Sequence, residues 1–191
     1  MADFTLEELD GLNKDFSMGC WIKINKQEIL SHFSTISSSA TVPTGSILGY
    51  NHYGGISLTW YADGLSSFNN ISVRGSLRGT SPSYVFGGTY NLPFDKWVHL
   101  MLVKDTKNQK LILYVDGIQK ASDSITVINS ITNTTQNFGI NRPSVYSGNG
   151  PQTTLPMRIS DVRVYDHALG INEIKELSRA LIVHYTFNDI L

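Results

Sequence analysis

Between Asp95 and Gly117 the chain runs DKWVHLMLVKDTKNQKLILYVDG, and this stretch limits the possible folds more than any other. Two apolar segments of strand length, Trp97 to Lys104 and Lys110 to Asp116, flank the polar turn Asp105-Thr-Lys-Asn-Gln109. That arrangement predicts a β-hairpin, and Asp116-Gly117 marks a second reversal at the end of its second strand. The first strand is apolar at both parities. Trp97, His99, Met101 and Val103 face one way, and Val98, Leu100 and Leu102 face the other. Such a strand belongs inside a sandwich, with a second sheet against one side and a further element against the other.

The rest of the chain supplies that sandwich. Phe16 to Ile24 alternates, with Phe16, Met18, Cys20, Ile22 and Ile24 on one face and Ser17, Gly19, Trp21 and Lys23 on the other. Ile29 to Phe33 reads as a short second strand, and Ser34 to Ser46 as a Ser/Thr-rich surface loop. Ile47 to Tyr53 and Ile56 to Tyr61 form a pair around Gly54-Gly55; the second places Ile56, Leu58 and Trp60 inward and Ser57, Thr59 and Tyr61 on a polar open face. Ile71 to Arg78 is a further strand, with Ser72 and Arg74 outward, and Thr80 to Tyr90 reads as a loop. Ser124 to Ile131, Phe138 to Ile140 and Met157 to Tyr165 are strands, the first two separated from the last by the long loop Asn141 to Pro156. Gly170 to Ala180 is the one good helix, with Ile174 and Leu177 on one side. Many short strands and a single terminal helix predict an all-β fold, a sandwich of two antiparallel sheets.

Composition bounds the partners. The 191 residues are 41% hydrophobic and 16% charged, with net charge −1, which gives no electrostatic reason to expect nucleic acid. One cysteine, Cys20, leaves no disulfide framework and no cysteine-based zinc site, and its place in the alternating run makes it a buried small hydrophobe. Met1 to Glu8 is acidic and lacks an apolar segment, so no signal peptide is expected, and no run reaches the length of a membrane span. A cytosolic protein, export without such a signal, or a piece of something larger all fit.

Several motifs, in order, resemble laminin-G-like domains of the concanavalin A-like lectin and glucanase superfamily. They are Phe16-Ser-Met-Gly-Cys-Trp-Ile-Lys23, Trp97-Val98-His99, Tyr114-Val115-Asp116-Gly117, Ile159-Ser-Asp-Val-Arg-Val-Tyr165, then Asp166-His-Ala-Leu169 and Glu173-Ile174. The resemblance implies a jelly-roll sandwich with one short C-terminal helix over residues 1–180. Residues 181–191 are then a closing strand or the start of a following unit. Domains of this style are familiar in phage tails and on bacterial surfaces, where they act as recognition modules or as structural parts that contact other subunits. The fold alone names no activity.

Chemistry divides three ways. Hydrolysis of the type found in related glucanases needs paired carboxylates, yet the only Glu-x-Asp, Glu8-Leu9-Asp10, has no third acid after it and lies outside the strand that should carry it. Calcium, the family's common ion, could use the loop acids Asp63 and Asp116, although turn chemistry explains both Asp-Gly pairs equally well. Carbohydrate binding has the best material. Aromatic faces and hydroxyl-binding side chains are available at Tyr61 and Arg74 on neighbouring strands, at Asn51, His52 and Tyr53 beside Gly54-Gly55, and at Tyr84, Arg142 and Tyr146 in loops. His99 and His184 sit mid-strand and read as core histidines. The expected partners are a glycan and other subunits of a larger assembly.

Overall fold

The computed structural model describes residues 14–34, 44–49, 55–62, 70–78, 85–125, 138–143 and 154–179. The strands are β1 (Phe16–Lys23), β2 (Thr44–Gly49), β3 (Gly55–Ala62), β4 (Ile71–Arg78), β5 (Val85–Leu92), β6 (Trp97–Asp105), β7 (Lys110–Val115), β8 (Ile118–Ser124), β9 (Gly139–Pro143) and β10 (Arg158–Tyr165). Two helices join them, α1 (Lys26–Ser34) and α2 (Ile171–Arg179). The strands form two antiparallel five-stranded sheets, β10-β1-β6-β7-β8 and β5-β4-β3-β2-β9. This is the jelly-roll sandwich that the strand pattern and the motif order imply.

The core lies where the alternation puts it. Met18, Cys20, Ile22, Leu100, Leu102, Leu113 and Val115 of the first sheet meet Leu48, Ile56, Leu58, Trp60, Val73 and Leu77 of the second, all fully or almost fully buried. β8 lies against β5 and closes one side of the sandwich, with Lys120 Nζ 5.3 Å from the centre of the Tyr90 ring. The further element demanded by the second apolar face of β6 is α2. Leu169 and Ile174 pack onto Met101, Val103, Ile112 and Tyr114 on the outer side of the first sheet. Ser17 fixes the entry to that helix: its Oγ donates to His167 O at 2.8 Å and accepts from Leu169 N at 2.9 Å. Glu173 Oε2 then accepts from Gly170 N, half of a capping box formed without a Ser or Thr.

The two hairpins of the organising stretch close as the turn residues require. Asp15 carboxylate accepts from both the backbone and the hydroxyl of Thr106, tying the β6–β7 turn to the start of β1 and holding the Asp15 carboxyl below the usual carboxylate range. At β7–β8, Asp116 and Gly117 both have positive φ, the type I′ geometry that suits a two-residue hairpin.

Four sequence expectations change. Ile29 to Phe33 is part of α1, not a strand: Asn25 Oδ1 accepts from Glu28 N at 3.0 Å, an N-cap with Glu at the third helical position. Ile29 and Phe33, four residues apart, share a face in either conformation, and the cap selects the helix. The second change is in the Thr80 to Tyr90 stretch, which holds most of β5; Gly87-Gly88 hides a strand that exists because β4 pairs with it. Third, Ile118–Ser124 forms β8 where no strand is expected, and of the strand expected over Ser124 to Ile131 all but the first two residues lie outside the described residues. Finally, β2 begins at Thr44, inside the expected loop. Residues 181–191, expected as a closing strand or the start of a following unit, and with them His184, also lie outside the described residues.

These contacts give two testable outcomes. Asn25→Ala removes the cap and lowers stability by about 1 kcal/mol in urea titration. Burial pushes the fully enclosed Cys20 thiol up to about 12, so a thiol-specific reagent titrates it in denaturant but not in native buffer at neutral pH.

Candidate carbohydrate-binding face

Across the second sheet, strand register assembles a polar row that no local sequence pattern contains. Arg142 pairs with Ser46, Ser46 with Thr59, Thr59 with Arg74, and Arg74 with Thr89. Directly opposed residues share a face, so all five lie on the outer side of the sheet. The adjacent row is Thr44, Tyr61, Ser72 and Asn91.

Tyr61 and Arg74 lie on the polar parities that the alternation predicts, and the β3–β4 register makes them diagonal neighbours. The Arg74 guanidinium carbon stands 4.7 Å from the centre of the Tyr61 ring, over its face. Arg74 Nε donates to Thr89 Oγ1 at 3.2 Å, and Thr59 Oγ1 donates to Arg74 O at 3.2 Å. Beside them Ser72 Oγ donates to Asn91 Oδ1 at 2.7 Å. Tyr61, Ser72 and Arg74 are half-buried, while Thr89 and Asn91 are exposed.

The face is less open than the alternation implies. Ser46, Ser57, Thr59 and Ser76 are buried, and the hydroxyls of Ser57, Thr59 and Ser76 bond within the sheet: Ser57 Oγ lies 2.8 Å from Ser76 Oγ, Ser76 Oγ donates to Ser57 O at 3.3 Å, and Thr59 Oγ1 donates to Arg74 O. Short hydroxyls that satisfy one another can be buried at little cost, so a polar parity is not by itself a solvated one. The solvated part is the end marked by Tyr61, Ser72 and Asn91.

Arg142 is a strand residue rather than a loop residue. Asn141, with φ of 50°, interrupts the alternation of the edge strand β9 opposite the irregularity between Ser46 and Leu48 of β2, so Gly139 and Arg142 fall on the same face. A Cβ at Gly139 would collide with the Nε and Cδ of Arg142, so glycine there lets the arginine lie along the strand. The Asn141 amide also clasps Leu155, donating to its carbonyl at 2.9 Å and accepting from its N–H at 3.1 Å. That clasp draws together the two ends of the long segment, and nothing in the sequence pattern announces it.

Asn51, His52, Tyr53, Tyr84, Tyr146 and Asp63 lie outside the described residues. Their described neighbours nevertheless sort by position. Gly49, Gly55 and Val85 flank the first four and sit at the opposite end of the sheet from Tyr61. Ala62 and Pro143, which lead towards Asp63 and Tyr146, sit at the Tyr61 end. Asp116 is committed to the fold: its Oδ1 accepts from His99 N at 2.9 Å, and its own N–H donates to His99 O at 2.9 Å. Among the described residues no group of three or more His, Cys, Asp or Glu is placed to hold a metal ion.

His99 lies on the outer side of the first sheet, paired with Trp21, with ring centres 5.2 Å apart. Both are buried, and among the described residues neither His99 Nδ1 nor Trp21 Nε1 has a hydrogen-bond partner. Burial lowers the His99 pKa to about 4, with Asp161 opposing and Arg163 reinforcing the shift, so the ring is neutral at pH 7.

Architecture and polar face together define a concanavalin A-like domain. Over residues 2–175 the chain matches the family model Laminin_G_3, described as Concanavalin A-like lectin/glucanases superfamily, and it belongs to that family. No curated protein matches it. Among solved structures it is similar to the receptor binding domain of botulinum neurotoxin C/D mosaic serotype, with 16% identity and a TM-score of 0.61 over 95% of this chain and 40% of the other. The ligand binding domain of botulinum neurotoxin serotype D, solved in complex with N-acetylneuraminic acid, gives 16% identity and a TM-score of 0.58 over 88% and 37%. The binding domain of serotype D gives 18% identity and a TM-score of 0.58 over 88% and 38%. At such identity the likeness concerns the fold, and the chain spans about two-fifths of these neighbours' length.

The buried imidazole has a consequence for pH. His99 takes a proton near pH 6.5 when unfolded but only near 4 when folded, so its contribution is complete above pH 6.5 and is lost as pH falls through that window. Urea titrations of the wild type then lose on the order of 3 kcal/mol across it. His99→Phe flattens the slope between pH 6.5 and 5; an unchanged slope assigns the loss to other groups.

Proposed function

We propose that this domain is a non-catalytic recognition module that binds carbohydrate, serving adhesion in a phage tail or a bacterial surface assembly. The observation that carries the reading is the Tyr61–Arg74 stack, set beside exposed Asn91 and Thr89 on one sheet face. Hydroxyl, amide and guanidinium groups held in fixed positions are what a sugar's hydroxyls require. The complex of one structural neighbour with N-acetylneuraminic acid lends support at the level of fold. The non-catalytic part is supported by the strands themselves: β2, β3, β4, β5 and β9 contain no Asp or Glu, so the face has no strand-borne acid pair for glycoside hydrolysis. Contact on a shallow face is weak per copy and becomes effective through many copies.

A second reading has its own observation. The edge strands β9 and β10 expose Ile140, Val162 and Val164, as an assembly domain that contacts neighbouring subunits would.

A glycan array run with calcium and again with chelator separates the two. Under the carbohydrate reading some glycan binds, and Tyr61→Ala or Arg74→Ala weakens it by about tenfold or more, the worth of one charge-assisted or stacking contact. Loss with chelator alone moves the site to an acid-bearing rim. An array blank in both conditions favours subunit contact, to be tested next by cross-linking within the assembly.

A further inference from the structure

Strand β10 is an edge of the first sheet, and among the described residues it hydrogen-bonds only to β1. An edge that turns apolar side chains to solvent is a template for a further strand, and Val162 and Val164 are both exposed. The charges along this edge follow a particular order. From Arg158 to Asp166 the charged residues are Arg158, Asp161, Arg163 and Asp166, with signs plus, minus, plus, minus. About Val162 the series is antisymmetric. Asp161 and Arg163 stand one residue to either side, and Arg158 and Asp166 stand four residues to either side. All four side chains reach solvent, Asp166 almost entirely.

Such a series, laid against its own reverse, meets an opposite sign at every charged position. With two copies antiparallel and Val162 at the axis, Arg158 of each copy faces Asp166 of the other, and Asp161 of each faces Arg163 of the other. Residues opposed on neighbouring strands stand about 5 Å apart, within reach of charged side chains. A parallel arrangement in register sets like charges against each other instead. Within one copy Arg163 Nε donates to Asp161 Oδ1 at 2.8 Å, so the axis gathers four alternating charges around two valines. The φ of 50° at Asp161 breaks the β10 ladder there, which makes backbone pairing incomplete and the edge a poor match for an arbitrary strand. Complementary side chains then decide the partner. We propose that β10 is a self-association surface, along which a second copy of this chain docks antiparallel through Val162 and the reciprocal pairs Arg158–Asp166 and Asp161–Arg163. The contact is isologous and closes on itself as a two-fold dimer. It deepens the subunit-contact reading and does not rest on carbohydrate binding. The outer face of the second sheet takes no part, so a dimer presents it twice.

Sedimentation velocity on the full chain, over about 1 to 500 µM, reads the monomer–dimer equilibrium directly. The wild type dimerises weakly and reversibly, as a small contact does, and added salt loosens it. Arg158→Glu and Asp166→Arg each oppose like charges in their own homodimer and weaken it by about tenfold or more. Mixed in equal amounts, the two variants restore unlike charges at both positions and dimerise with each other. Rescue between two chains is something a purely structural effect of either substitution does not produce. Lys107→Glu, in the exposed β6–β7 turn, leaves the equilibrium within about twofold. Thermal melts confirm that each variant folds. A wild type that stays monomeric throughout overturns the proposal, as do variants that dimerise alone as tightly as the wild type. A mixture of folded variants that stays monomeric overturns it too. The readout needs no glycan: a blank glycan array with the dimer intact ends the carbohydrate reading alone, and glycan binding by a strict monomer ends this one alone.

Discussion

The structure depends on the burial of β6 from both sides. Val98, Leu100 and Leu102 face the second sheet, while Met101 and Val103 face α2. Full burial of side chains of this size contributes about 1.5–3 kcal/mol each, so neither face can be left to solvent. The inner face requires a second sheet, and the outer face requires the terminal helix to return across the first. Ser17 makes that return specific by binding the chain on both sides of Ala168. The helix ends beside Gly117, where a Cβ would meet Lys175 and Ser178, so the β7–β8 turn and the helix terminus are packed as one unit.

With the first sheet occupied on its outer side by α2, the second sheet is the one that presents a polar face. Its construction is graded. At one end, short hydroxyls bond to one another and are buried; at the other, longer polar groups reach solvent. A buried hydroxyl row offers little to a ligand because its donors and acceptors are already used. The exposed polar chemistry is thereby concentrated around Tyr61 and Arg74, while the Arg142 side chain lies back along the edge strand over Gly139.

Much of this is legible in the chain. The hairpin from Asp95 to Gly117, the alternation of Phe16 to Lys23, Gly55 to Ala62 and Ile71 to Arg78, and the helix after Gly170 all arise from periodicity and turn residues, and the order of motifs carries the family. The elements that sequence reasoning misses share a physical cause. β5, with Gly87-Gly88, and β8, with an exposed polar sequence, have weak strand preference of their own and are strands because a neighbour pairs with them. For α1 the signal is present, as Asn25 and Glu28, but a spacing of four fits a strand face as well as a helix face. Arg142 reads as a loop residue because the segment from Pro143 to Pro156 carries three prolines, two glycines and no apolar period, while its place in the sheet comes from pairing with Ser46 beside the Asn141 clasp to Leu155.

The sequence by itself determined which side of each strong strand is apolar, where the two hairpins of the organising stretch reverse, and that Tyr61 and Arg74 occupy the polar parities of their strands. These are consequences of a two-residue period and of local backbone preference. Tertiary structure alone decided which strands are neighbours and in what register. Hence it decided that Arg142, Ser46, Thr59, Arg74 and Thr89 form one row, that the Arg74 guanidinium covers the Tyr61 ring, and that Ser46, Ser57, Thr59 and Ser76 of the polar face are buried. Facing is a property of one strand, whereas adjacency is a property of the hydrogen-bonded sheet, joining residues far apart along the chain.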